Sequence, residues 1–282
     1  MNIFAYIDRS AHAESVCEHA AWAAQQLGAT VELIHAIDHP VGVDKRDFSG
    51  FMGIDAPETV LEDRVQLDEM QNRVLIAEGR QLLDAATERT RQAGASQVAQ
   101  RLFQGTVVEH LQQHARSAVL VVVGKRGEGA HRDPQHLGRN VERIVRSAHR
   151  PVLIAAPAFT PISRALLAWD GGRSAGEAVH FLASQPLLHG VPTTLIHVAN
   201  DRKQINPAAN DAARHLIATE MVVHVEQVSG APVAAILAAA QQHDSQLVVM
   251  GAYGHSRMRS LIIGSTTTEL LMQCPDAMLV FH

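Results

Sequence analysis

Short apolar runs alternate with longer amphipathic stretches along the whole chain, and the alternation occurs twice. Ile3–Asp8 (IFAYID) and Arg164–Asp170 (RALLAWD) are apolar strands ending in aspartate, each leading into a helical stretch, Ala11–Leu27 and Ser174–Leu188. Thr30–Ile37 (TVELIHAI) and Pro192–Ala199 (PTTLIHVA) come next, with a shared Leu-Ile-His at the same distance after each aspartate. Val98–Phe103 and Met221–Val228 read as third strands that stop before Gly105 and Gly230. A helix follows each, with Val108, Leu111 and Ala115, or Val233, Ile236, Leu237 and Ala240, on one face. Val119–Val123 and Leu247–Met250 are continuously apolar, as strands buried on both faces of a helix-covered parallel sheet are. Each half closes with a glycine loop, a short helix, a proline (Pro151, Pro275) and a last strand, Val152–Ala155 or Ala277–Phe281.

This is a βαβαβαβαβ unit used twice. Right-handed crossovers turn such a unit into a doubly wound, five-stranded parallel sheet, with its ligand crevice at the carboxyl ends of the strands where their order reverses. Asp8 and Asp170, after the first strand of each half, and the glycine loop after the fourth both fall at that edge. The expected units are residues 1–156 and 163–282, held close by the short, proline-stiffened join Ala156–Pro161. The first half carries about thirty-five additional residues between its second and third strands. They comprise a loop, Asp38–Pro57, with Phe48, Phe51 and Met52 exposed, and a charged helix from about Val60 to Gln92. This 38–92 insertion reads as a decorated crossover or as a lid or docking surface.

The 282 residues exceed one comfortable core, which fits two domains. A net charge of −5 and a pI near 6.4 provide no broad basic surface, so nucleic acid is not an expected partner. The N-terminus lacks the basic and apolar regions of a leader, and the longest apolar run, Ala118–Val123, is too short to span a bilayer. A cytoplasmic location is expected, and Cys17 and Cys274 read as two buried thiols rather than a disulfide.

The most telling chemistry is near the end. Leu247-Val248-Val249-Met250 runs into Gly251-x2-Gly254-x9-Gly264-Ser265-Thr266, a strand feeding a glycine loop and then a helix N-terminus. Unpaired N–H groups, small side chains and roughly half a positive charge from the helix dipole make phosphate the favoured ligand there. The strand-terminal aspartate, the five-strand order and this glycine spacing together resemble the universal stress protein family in its tandem form, over nearly the whole chain. The resemblance implies two Rossmann-like, adenine nucleotide alpha hydrolase-like domains packed as a pseudo-dimer, joined through their last strands. It also implies an adenine nucleotide in the second domain, ATP or else ADP or AMP, with Mg2+ as its accompanying ion. Carried over residue by residue, the nucleotide positions are Asp170, Val198, Gly251, Gly254, His255, Gly264, Ser265 and Thr266. The role implied is that of a stress sensor or regulator with a protein partner, and homo-oligomers are compatible with it.

The first half departs from the pattern. It reads Gly124-Lys125-Arg126-Gly127, ten residues, then Gly138-Arg139-Asn140, so its loop is one residue longer and arginine and asparagine replace the hydroxyls. Arg139 either folds into the place of a phosphate or binds one bidentately. Losing the small side chains favours the former and a mainly structural first half. Asp8 and Asp170 also read as caps of the helices that follow. Arg257 and Arg259 lie within the glycine loop, where they either neutralise phosphate or are solvated.

Neither G-x-x-x-x-G-K-[ST] nor a G-x-G-x-x-G after a first strand occurs, so no lysine-and-magnesium apparatus for fast phosphoryl transfer is identified, and any hydrolysis is slow. Among the 17 histidines, His110 and His114 stand one helical turn apart without a completing ligand set and read as an exposed helix edge. His35 and His197, at the ends of matching strands, read as loop-orienting groups in the crevices. Two other function classes stay open: a nucleotide-free scaffold or small-molecule or lipid carrier using Asp38–Pro57, and a slow ATPase or nucleotide α-hydrolase.

Overall fold

The computed structural model describes residues 1–37, 58–127, 139–199, 206–252 and 264–282, with side chains from residue 69 in the second stretch and from 141 in the third. The first half runs β1 (Asn2–Tyr6), α1 (Ala13–Leu27), β2 (Thr30–Ile37), α2 (Glu58–Gln92), β3 (Val98–Gln104), α3 (Val107–His114), β4 (Ala118–Gly124), α4 (Arg139–Ser147) and β5 (Val152–Ala155). The second repeats it as β6 (Ala165–Trp169), α5 (Arg173–Ser184), β7 (Thr193–Val198), α6 (Pro207–Ile217), β8 (Val223–Val228), α7 (Pro232–Gln242), β9 (Leu247–Gly251), α8 (Ser265–Gln273) and β10 (Ala277–Phe281).

All ten strands form one sheet in the order β3-β2-β1-β4-β5-β10-β9-β6-β7-β8. Within each half the pairing is parallel, and the strand order reverses between β1 and β4 and between β6 and β9. The halves meet where β5 and β10 pair antiparallel, Val152 opposite Val280, Leu153 opposite Leu279 and Ile154 opposite Met278. Pairing these two strands removes the open edge that each five-stranded sheet would otherwise present, and leaves only β3 and β8 at the margins.

The period-two alternation of the strands sorts the core into two layers. Ile3, Ala5 and Ile7 face one side with buried residues of α1, α2, α5 and α6, while Phe4 and Tyr6 face the other with α3, α4, α7 and α8. The central strands are almost fully buried on both faces, as their unbroken apolar runs require: Leu120, Val121 and Val122 are at 0% exposure. Each such side chain contributes about 1.5–3 kcal/mol relative to exposure. Both layers run continuously from one half into the other across β5 and β10.

Two element boundaries differ from expectation. The stretch expected as one helix to Leu188 stops at Ser184, and a separate 3-10 turn, Pro186–Leu188, follows. Proline has no N–H for an intrahelical bond and its ring crowds the preceding turn, so the α-helix ends before it. Helix α1 starts at Ala13 rather than Ala11, because Ser10–His12 still belong to the turn set up by Asp8. Helix α2 of the insertion packs on α1, β2 and β3, with Arg89 paired to Glu18 at 2.6 Å and Arg9 to Glu78. The loop Asp38–Pro57 lies outside the described residues. Cys17 and Cys274 are free and buried in separate layers.

Candidate functional site

In the second half the carboxyl ends of β6, β7 and β9 and the start of α8 enclose a cavity of about 480 Å³. Six of the eight residues singled out from the sequence line it: Asp170, Val198, Gly251, Gly264, Ser265 and Thr266. Gly254 and His255 lie outside the described residues, as do Arg257 and Arg259. The opposite wall is apolar, formed by Ala168, Ile196, Ile236 and Met250. One end is thus oily and the other carries backbone and side-chain donors, the usual division of a site for an amphipathic small molecule.

Each group at the polar end is held by local chemistry. Helix α8 begins at Ser265 with Gly264 as its N-cap and no side-chain cap, so its first-turn N–H groups keep no intrahelical or side-chain acceptor. Thr267 also lines the cavity, and its hydroxyl donates to the Ala252 carbonyl at 2.9 Å, tying the helix start to the end of β9. Asp170 accepts from the Gly172 N–H at 2.7 Å. This is a tight turn closed on the residue two ahead; the N-cap of α5 is Gly172 and has no side-chain cap bond. Asp8 does the same with the Ser10 N–H at 3.0 Å, so neither aspartate is the helix cap that its position suggests.

His197 lines the cavity beside Asp170. Its Nδ1 donates to the Trp169 carbonyl at 2.9 Å, and its Nε2 accepts from the Asn206 amide at 3.2 Å. Since a carbonyl can only accept, this network assigns the proton to Nδ1. Asn206 is fixed in turn, its Oδ1 accepting from the Ala208 N–H at 2.9 Å as the N-cap of α6. His35 repeats the bond in the first half, from Nδ1 to the Ile7 carbonyl at 2.9 Å. Both histidines therefore pin the residue before the aspartate, in keeping with a loop-orienting role.

The glycines divide in purpose. A Cβ on Gly251 would stand 2.8 Å from the Ser174 Cβ and 3.0 Å from the Ala175 backbone nitrogen, so this glycine lets α5 pack against the end of β9. Gly124 stands in the same way against His12, at 2.9 Å. At Gly264 a Cβ would fit, the nearest atom being the Ala252 carbonyl oxygen at 3.4 Å. Helix packing alone therefore calls for a glycine at position 251.

Sequence reasoning missed Trp169. It lines the cavity, and its indole N–H is buried without a hydrogen-bond partner among the described residues. The signal was present in its place directly before Asp170, but a tryptophan in an apolar strand reads as core.

The first half retains a smaller crevice, about 330 Å³, lined by Asp8, His35, Arg126 and Arg143 among others. Arg139 was expected to fill it, but the Arg139 side chain lies outside the described residues, and the visible filling comes from elsewhere. Strand registers place Tyr6 opposite Ile34 and Ala168 opposite Ile196, so Tyr6 stands where the second half has Ala168. The Tyr6 hydroxyl bonds His110 Nδ1 at 2.8 Å, and His110 packs against Phe4 and Phe103 with ring centroids 5.4 and 4.9 Å away. His110 is thus at 0% exposure and not on an exposed helix edge. Burial, with the charges of His114 and Arg101, lowers its pKa to about 4. Among the described residues no group of three or more His, Cys, Asp or Glu side chains is placed to hold a metal ion, and no helix is long and apolar enough to cross a membrane.

Comparison with known proteins agrees with this architecture. The model of the universal stress protein family matches residues 1–156 and 201–282. Residues 157–200, outside those matches, include β6, α5 and β7, which repeat β1, α1 and β2 in order and pairing. The chain is 30% identical over 285 residues to Universal stress protein Slr1230 of Synechocystis, covering 100% of this chain and 99% of that protein. It is 24% identical over 306 residues to Universal stress protein Rv1996 of Mycobacterium tuberculosis, covering 96% and 92%. A crystal structure of a universal stress protein from Archaeoglobus fulgidus superposes with a TM-score of 0.71 at 19% identity, covering 99% of this chain and 97% of that one. With this topology, both family matches and a relative aligned end to end, the chain belongs to the universal stress protein family, as two of its units in tandem.

Proposed function

We propose that the second unit, residues 163–282, binds an adenine nucleotide, ATP, and that the protein acts as a nucleotide-responsive sensor or regulator. The first unit, residues 1–156, is its folded partner. The observation that carries this reading is the juxtaposition, in one cavity of about 480 Å³, of an apolar wall, a carboxylate and an uncapped helix N-terminus. The wall of Ala168, Ile196, Ile236 and Met250 suits a flat base; Asp170 suits hydroxyl donors of a ribose; Ser265, Thr266 and the first-turn N–H groups of α8 suit phosphate oxygens. Trp169 supplies a further donor in a buried setting, where an unmet N–H costs about 1–3 kcal/mol.

Gly254 and His255 complete the proposed set from the sequence. Asp170 is the one carboxylate in the described lining, so a Mg2+ ion would be carried by the nucleotide's own phosphates and water rather than by a protein cage. With no base aimed at a terminal phosphate among the described lining residues, the reading carries slow turnover at most.

Calorimetric titration with ATP, together with mass spectrometry of whatever the denatured protein releases, tests the reading. Micromolar or tighter binding at one site per chain is expected; no binding at millimolar ATP overturns it and favours the nucleotide-free scaffold or carrier.

A further inference from the structure

The pseudo-symmetric fold creates two grooves, one on each side of the β5–β10 seam, each bounded by the face of the first helix of one half and the turn before the last strand of the other. The linker covers the groove on α1: Ser15 Oγ donates to the Ala156 carbonyl at 2.7 Å, and Phe159 lies edge-on to His19 with ring centroids 4.9 Å apart. The matching groove on α5 is an open cavity of about 570 Å³. Its rim carries Arg173 and His180 from α5, Arg146 from the last turn of α4, and His149 and Arg150 from the turn that follows. Among the described lining residues Glu177 is the one carboxylate side chain, and it is paired with Arg173 at 3.9 Å.

The charges belong to this groove and not to the fold. Ala155 pairs with Gly124 and Phe281 with Gly251, which sets Arg146 against Met272 and Arg150 against Asp276 in the covered groove. Gly124 abuts His12 and Gly251 abuts Ser174, which sets Arg173 against Ala11 and His180 against Glu18. The covered groove therefore has no arginine where the open one has three. Arg150 is held in place by donating from Nε to the Ala115 carbonyl at 3.2 Å and from Nη2 to the Arg116 carbonyl at 3.0 Å. The floor is Phe281 and His282, and burial, then the charge of His149, lowers the His282 pKa to about 4, so its imidazole adds no positive charge.

We infer that this junction groove is a second ligand site, for a compact small molecule carrying several phosphate groups. Several charges are required because exposed cations each add little in water, so three arginines around one groove act together only on a ligand that carries several anionic groups. The bounded cavity and the overall charge of −5 point to a small polyanion rather than a nucleic acid. This site is independent of the nucleotide reading.

The test is calorimetric titration with inorganic tripolyphosphate in a Thr266→Glu background, which places a carboxylate in the second-half crevice and blocks anions there. One tripolyphosphate per chain is expected, with orthophosphate at least tenfold weaker. Adding Arg146→Glu or Arg173→Glu to that background should weaken tripolyphosphate at least tenfold. The same arginine variants in the wild-type background should keep ATP affinity within twofold. Tripolyphosphate binding that is absent in Thr266→Glu, or unchanged by both arginine variants, overturns the inference; failure of the wild-type chain to bind ATP bears only on the other site.

Discussion

Ser174 lies directly against Gly251, with only 2.8 Å between its Cβ and the position a Cβ on Gly251 would take. The contact joins the first turn of α5 to the last residue of β9, so the same residue that ends a core strand also shapes the crevice mouth. Gly251→Val should destabilise the fold by about 1–3 kcal/mol, the cost of overpacking a site whose neighbour is backbone. Urea denaturation measures it, and a variant as stable as the parent would show that Gly251 serves the ligand alone.

Thr266→Glu should move stability and affinity in opposite directions. A carboxylate in the first turn of α8 interacts favourably with the helix dipole by about 0.3–1 kcal/mol, yet it repels phosphate in the cavity that Thr266 lines. ATP affinity should fall at least about tenfold, or 1.4 kcal/mol, while the denaturation midpoint holds or rises. Equal ATP affinity in calorimetry would remove α8 from the site.

In an Arg146→Glu background, which takes the junction groove out of the measurement, Asp170→Ala should weaken ATP by about 1–3 kcal/mol through a lost hydrogen bond, and weaken tripolyphosphate far less. His197→Ala should weaken ATP in the same sense by a smaller amount, since His197 fixes the Trp169 carbonyl one residue earlier. Parallel titrations with both ligands distinguish the cases; equal losses for ATP and tripolyphosphate in Asp170→Ala would place the carboxylate at the phosphates.

Acid should destabilise the chain through its buried imidazoles. Burial is the first cause that lowers His19, His110 and His282 to about 4, against an ordinary value of 6.5. An unfolded chain takes up these protons near pH 6.5, while the folded one refuses them until about pH 4. Their stabilising contribution is therefore complete above pH 6.5 and shrinks as the pH drops toward 4. Denaturation midpoints measured across this window should fall with pH, and less steeply in His110→Phe than in the parent chain. An unchanged slope in that variant would mean that His110 does not contribute.

Residues 163–282 expressed alone should associate through β10. In the full chain β10 pairs with β5 from Met278 to Val280, and without that partner its apolar edge is exposed to a second copy. Light scattering should report a dimer that Leu279→Pro disperses; a stable monomeric fragment would contradict this.

Much of the fold was legible because its signals are local and occur twice: Leu33-Ile34-His35 and Leu195-Ile196-His197 after matching aspartates, and two unbroken apolar runs for β4 and β9. The site was legible where backbone chemistry defines it, at Gly264, Ser265 and Thr266. It was not legible where one letter conceals two jobs. Gly251 reads like Gly264 in the sequence, but only the structure shows that a Cβ would collide with a helix at the first and make ordinary contact at the second. His110 was misplaced because a helix-edge pattern says nothing about Tyr6, 104 positions away, whose hydroxyl accommodates it in the core. Helix α6 buries Ala209, Ala212, Ala213 and Leu216 at helical spacing, but these small residues stand out less in the sequence than the parallel pairing of β7 and β8 that requires a crossover between them.

The seam between β5 and β10 also bears on how the two halves were able to diverge. Two identical subunits meeting edge to edge must repeat every amino-acid change on both sides, so a gain at one pocket is a change at the other. Covalent fusion lifts that constraint. A bulky phenol at Tyr6 and a methyl at Ala168 coexist across the same sheet, so one copy is free to specialise while its twin holds the architecture.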